Sequence, residues 1–372
     1  MAAELSWSQV HAFRLGRHHL TRRAPRQDLA RVVGEIGGAQ AQVMSAAELQ
    51  VAVRVDCTVD DVRAALWKRK TLVKTWLMRG TLHLVPAADL PLYAAAMSTP
   101  WMRPTNAWFK YFGVTEPELR TLVEQIGRAL DGGPKTREEL IAALRKSSSE
   151  RVRIILRSGW GTALKPVARR GLLCFGPNRG QSVTFVRPES WLGSWRELDP
   201  ESALLEVARR YLRAYGPATK DDFARWWGNW AGVGKGAWAG LADELVPVSI
   251  EGRRADMLAC ELRHVAEPEG ASAVHLLPGF DPYVMGHNSR DHLFEPAYRA
   301  KVSRTAGWIS PVVIIGGRVV ATWTHAVAKK YLHVSVEPFR RLPPKALPAI
   351  RARASEITAS LGLVDFDVKV IS

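Results

Sequence analysis

The spacing of apolar positions shifts repeatedly from a helical period to a strand period along this chain. An amphipathic run from Ser6 through Leu20 predicts a helix capped by Ser6 or Ser8. A second helical run covers 27–36 and stops at Gly37-Gly38. A third opens at Thr58, carries Asp60 and Asp61 in its first turn, and continues to Arg69. Residues 72–76 and 81–85 are then apolar and β-branched, separated by Met78-Arg79-Gly80, a pattern that predicts a hairpin. Helices followed by a two-stranded ribbon have the order of a winged helix.

The same order recurs twice. Thr136 and Glu139 form a capping-box pair at a helix start, and a basic helix is expected over 161–170. A hairpin of 172–175 and 182–186 follows it. The third unit begins with a helix over 201–215, recaps at Thr219 after Gly216-Pro217, and ends in strands 246–250 and 257–265. The last hundred residues break the pattern. Strands at 273–277, 308–315, 318–324, 331–336 and 364–370 surround a long loop at 278–283 and one helix near 345–361. The expected fold is α+β: three tandem winged-helix units plus a C-terminal β-barrel-like domain. The expected divisions are 1–130, 131–198, 199–270 and 271–372, the first with a helical extension.

Composition narrows the partners. The 372 residues include 52 Lys plus Arg against 36 Asp plus Glu, a net charge of +16 that favours polyanions, nucleic acid first. Arg137 to Arg179 holds ten basic residues and three acids, and Arg299 to Arg353 holds eleven and one. Such faces neutralise phosphates, and binding through them weakens with salt. Aromatics interleave with charge at Trp101-Met102-Arg103 and over 108–112, a pattern that suits base stacking or domain packing. The three cysteines, Cys57, Cys174 and Cys260, are far apart and form no metal-binding pair. There is no P-loop, no dinucleotide-binding glycine motif and no zinc-hydrolase histidine pair, so no metal and no cofactor is expected. No stretch is long enough to span a bilayer, and the first residues lack a secretory pattern. A cytoplasmic monomer is the expectation.

The candidate chemistry lies in Gly37-Gly38-Ala39-Gln40-Ala41-Gln42. An amide is too weak a base to deprotonate a substrate. It offers a carbonyl acceptor and two N–H donors, enough to hold a water or a sugar oxygen. A Gln-x-Gln after Gly-Gly is also able to cap a neighbouring helix. His83, alone on a strand, reads first as a structural histidine.

Several segments together resemble the tandem winged-helix DNA glycosylases of the AlkZ/YcaQ superfamily. They are Gln40-Ala41-Gln42, Met78-Arg79-Gly80-Thr81-Leu82-His83, Tyr215-Gly216-Pro217-Ala218-Thr219 with Asp222-Phe223 and Trp226-Trp227-Gly228, Leu277-Pro278-Gly279-Phe280-Asp281-Pro282-Tyr283, and Gly317-Arg318-Val319-Val320. The resemblance implies that these units are arranged around a basic concave cleft, and it implies excision of N7-alkylated purines from double-stranded DNA, bulky adducts and interstrand crosslinks included, in repair or self-resistance. It implies that Gln40 and Gln42 are catalytic, in the branch with glutamine rather than aspartate at the second place. A larger apolar residue is expected where this chain has Ala41, which bears on substrate breadth. The expected DNA-contacting set is Arg79, His83, Arg157, Lys165, Arg169, Arg170, Arg179, Tyr283, Arg290, Arg299 and Lys301. The rival readings are a winged-helix DNA-binding regulator and a non-catalytic lesion binder.

Overall fold

The computed structural model describes residues 2–100, 104–144, 150–159, 161–228, 230, 232–265 and 273–371. Trp101, Met102 and Arg103, and Arg145 and Lys146 of the basic stretch, lie outside the described residues. The architecture is mixed α+β, with three three-stranded sheets and one of five strands.

In the first sheet Leu82–Pro86 lies between Ala39–Gln40 and Leu72–Trp76, with both pairings antiparallel. The turn Met78–Gly80 joins the two longer strands, with Arg79 at φ 58° and Gly80 at φ 67°. The second sheet places Ser182–Val186 between Lys135–Thr136 and Cys174–Arg179. In the third, Leu245–Ile250 pairs antiparallel with Arg253–Leu258 and parallel with Ala3–Leu5. Residues 257–265 were expected as a strand, but the strand ends at Leu258 and a short helix, Ala259–Leu262, follows.

The C-terminal sheet runs Val274–Leu277, Val312–Ile315, Arg318–Ala328, Tyr331–Pro338, Asp365–Val370. It corrects the barrel expectation. Its two outer strands do not pair, so the sheet stays open, and the helix Ala346–Ser360 packs against both of them. The turn Gly316-Gly317 has positive φ at both residues, as a tight hairpin requires.

Three helix starts follow local chemistry. Thr58 with Asp61, Thr136 with Glu139 and Thr219 with Asp222 each close a capping box. The helix Met44–Ala52 was not anticipated; it is buried at Ala47 through Ala52 and so lacks the polar face that marks a surface helix. Among the described tryptophans, Trp76, Trp226, Trp227 and Trp323 are buried. Tyr93, Tyr211, Tyr215, Phe223, Trp226 and Trp227 form a central aromatic core. Trp76 joins the first and second sheets by packing on Phe175, with ring centroids 4.8 Å apart.

Candidate active site

The Gly37-Gly38 break positions the glutamines. Gly37 has φ 72°, and a Cβ there would lie 2.9 Å from the Trp226 ring. Gly38 has φ 92°, and its Cβ would meet the Leu84 carbonyl at 3.1 Å. Side chains at either place would push the segment off the sheet. Ala39–Gln40 forms a short strand, and Gln42 falls in the bend after it. Ala39 and Ala41 are fully buried in the core with Val51 and Leu72. Gln40 is 6% exposed and Gln42 is exposed.

Gln40 lies opposite His83 across the sheet. Arg79 Nη2 lies 3.4 Å from Gln40 Oε1 and 3.3 Å from His83 Nε2, while its Nη1 donates to the Trp226 carbonyl at 2.6 Å. Guanidinium has only donors, so the amide end facing it is the carbonyl. This turns the Gln40 NH₂ group away from Arg79. The His83 ring makes a 3.0 Å contact from Nδ1 to the Thr81 carbonyl, which assigns the proton to Nδ1 and leaves Nε2 to accept from Arg79. Burial, and then Arg79, hold the His83 pKa down to about 3. His83 is therefore a neutral imidazole near pH 7. Burial lowers Arg79 to about 10, still protonated.

A second support comes from the unanticipated helix. Gln50 Nε2 donates to the backbone carbonyl of Gln40 at 3.2 Å and to that of Gly279 at 3.0 Å. Gln50 is fully buried, and its Oε1 has no partner. One turn on, Arg54 donates to the Gln50 carbonyl and makes a two-bond pair with Asp281, at 2.6 and 2.8 Å. Both side chains of that pair are 0% exposed. The Ala39–Gln40 strand and the 278–283 loop are thereby joined through one buried polar chain. Phe280, at φ 57°, packs edge-on against the exposed Trp308.

The second unit contributes two cations. A Cβ added at Gly80 would lie 3.6 Å from Arg169 Nη2 and 3.9 Å from Lys165 Nζ, so both cations border the Arg79 turn. Arg169 also stands 5.0 Å from the Trp230 ring centroid, and burial pushes its pKa down to about 10.

The other expected contacts are distributed differently. Arg157 and Arg170 are exposed, at the ends of the helices Glu150–Arg157 and Lys165–Arg169. Arg179 is engaged by Glu139 at 2.6 Å, Arg299 by Asp291 at 2.9 Å, and Lys301 by Glu337. Arg290 donates to Ser303 Oγ at 2.7 Å. Two expectations need correction. His83 and Tyr283 are 1% and 3% exposed, and the Tyr283 hydroxyl donates to the Gly317 carbonyl. Neither presents a surface to a duplex, so both act as internal supports. Sequence reasoning missed Gln50, which lies on a helix with no amphipathic signal.

Among the described residues, no three or more His, Cys, Asp or Glu are grouped to hold a metal ion. No described helix is long and apolar enough to cross a membrane.

The family model for AlkZ-like DNA glycosylases matches residues 33–359. An interstrand DNA cross-link repair glycosylase of Streptomyces sahachiroi is 38% identical over 98% of this chain and 99% of its own length. The solved structure of Streptomyces sahachiroi DNA glycosylase AlkZ superposes with a TM-score of 0.87, at 37% identity and with full coverage of both chains. The chain belongs to the AlkZ-like family of DNA glycosylases.

Proposed function

We propose that this glycosylase excises N7-alkylguanine from double-stranded DNA, including bulky genotoxin adducts and interstrand crosslinks, as a monofunctional and monomeric enzyme. The observation that carries the reading is the Gln40–Arg79 contact beside the exposed Gln42. The cross-link repair activity named for the Streptomyces sahachiroi relative supports crosslinks as substrates.

Alkylation at N7 makes the base cationic, and its glycosidic bond is already labile. The enzyme does not need to protonate the leaving group, and the neutral His83 fits that economy. The remaining task is to position water and to favour positive charge growing on the sugar. With its carbonyl turned to Arg79, Gln40 offers its NH₂ group to a phosphate or sugar oxygen. The Gln42 carbonyl orients the attacking water or faces the developing oxocarbenium ion. A carboxylate would stabilise that cation more strongly, so the amide pair confines the enzyme to cationic adducts. We read the three smaller sheets and their helices as winged-helix units lining an open cleft. A crosslinked base cannot flip into a closed pocket, and an open cleft removes that requirement.

The test is single-turnover release of 7-methylguanine from duplex DNA by wild type and by Gln40→Ala/Gln42→Ala. Release by wild type and its loss in the variant are expected, with uracil untouched. Equal release by both proteins, or appreciable uracil release, overturns the mechanism.

A further inference from the structure

The helix Lys220–Trp227 meets the loop after Pro282–Met285 beside Arg79. The backbone N–H of Asn288 donates to Asp222 Oδ1 at 2.8 Å. This bond pins the loop one helical turn from Arg225, and Arg290 follows two residues beyond the pinned amide. Arg79 approaches the same helix through its bond to the Trp226 carbonyl. Three guanidinium groups from three distant parts of the chain are thereby gathered.

Their partners are neutral or missing. Arg225 is exposed and has no ion-pair partner among the described residues. Among the described residues Arg290 bonds one hydroxyl, Ser303 Oγ, and its Nε is covered and unpartnered. The Nε of Arg79 is covered and unpartnered too. Two nearby carboxylates serve other groups. Asp222 closes the Thr219 cap and accepts from Asn288, and Asp291 accepts from Ser289 and Arg299. Burial chiefly lowers the pKa of Arg290, and the like charges of Arg225 and Arg299 add to it. Burial likewise lowers Arg79 to about 10, with Arg290 and Arg225 contributing.

Like charges held together without a counter-ion are unfavourable until an anion joins them. Guanidinium forks match the oxygens of a phosphate in shape and charge. Arg79 also contacts Gln40, so an anion bound here adjoins the candidate catalytic amides. We propose that Arg225 and Arg290, backed by Arg79, form a single phosphodiester site that fixes the lesion-bearing strand beside Gln40 and Gln42. The naming of that strand rests on the glycosylase reading above. The bound phosphate anchors the sugar under attack, and its negative charge faces the cation developing there.

The experiment uses the full chain and duplexes with a tetrahydrofuran abasic analogue, which cannot be cleaved. One methylphosphonate, a neutral replacement for phosphate, is moved stepwise along the lesion strand. For wild type, one or two positions flanking the analogue should weaken binding about tenfold, and others much less. In Arg225→Ala and Arg290→Gln that positional penalty should vanish, and the salt slope should fall by about one per lost contact. Arg225 is exposed, so its variant tests the site even if Arg290→Gln folds poorly. A penalty that persists in Arg225→Ala overturns the proposal. A penalty equal at every position also overturns it, because a site for free anions or for diffuse charge shows no preferred phosphate. Binding is read without base release, so a failed glycosylase assay and a failed phosphate site remain distinct results.

Discussion

Asp281→Ala tests the buried polar chain behind the glutamines. Asp281 and Arg54 are both 0% exposed, and their two bonds measure 2.6 and 2.8 Å. Removing the carboxylate leaves a guanidinium charge in the interior with the Gln50 backbone carbonyl as its one remaining partner among the described residues. Breaking a buried pair in this way costs about 3–5 kcal/mol. At roughly 2.1 cal/mol/K of unfolding entropy per residue, and with 372 residues unfolding together, that is a fall in Tm of about 4–6 °C. The loss of the Asp281 bond to the Tyr283 amide adds to it. Calorimetry of wild type, Asp281→Ala, Arg54→Met and the Arg54→Met/Asp281→Leu double variant provides the assay. The double variant should recover to within about 1 kcal/mol of wild type, because two apolar side chains leave no buried charge. The reasoning is refuted if Asp281→Ala melts within a degree of wild type, or if the double variant loses as much as the two single changes together.

The remaining predictions concern the site and its pH response. Gln50→Leu removes the donor shared by the Gln40 and Gly279 carbonyls and should destabilise by about 1–3 kcal/mol. It should slow single-turnover base release about tenfold while affinity for an abasic-analogue duplex is kept; equal loss of both would assign Gln50 to general fold support. The single-turnover rate should be flat from about pH 6 to 9, since glutamines do not titrate and His83 and Arg79 are held at about 3 and about 10. A kinetic pKa between 6.5 and 8 would contradict that assignment. Stability should fall as pH drops below 6.5. Buried His11, His18, His275, His287 and His292 all have lowered pKa values, chiefly through burial, so the unfolded chain binds more protons. The loss is about 1 kcal/mol per histidine between pH 6 and pH 5, and denaturant midpoints unchanged over that interval would refute it.

The helix starts at Thr58, Thr136 and Thr219 and the hairpin around Met78–Gly80 were legible because their causes lie within a few residues. The stop at Gly37-Gly38 ahead of Gln40-Ala41-Gln42 was equally legible, and both glycines have positive φ. The parallel pairing of Ala3–Leu5 with Leu245–Ile250 was not, because no local pattern encodes contact across more than two hundred residues. Strand composition also left open whether the last sheet closes; the packing of Ala346–Ser360 against both outer strands goes with an open sheet. Local sequence therefore determined the caps, turns and alternating faces, whose energies come from near neighbours. Only tertiary structure decided which charges act together. Arg79, Arg225 and Arg290 are far apart in the chain, and long-range packing and the Asn288–Asp222 bond gather them beside Gln40.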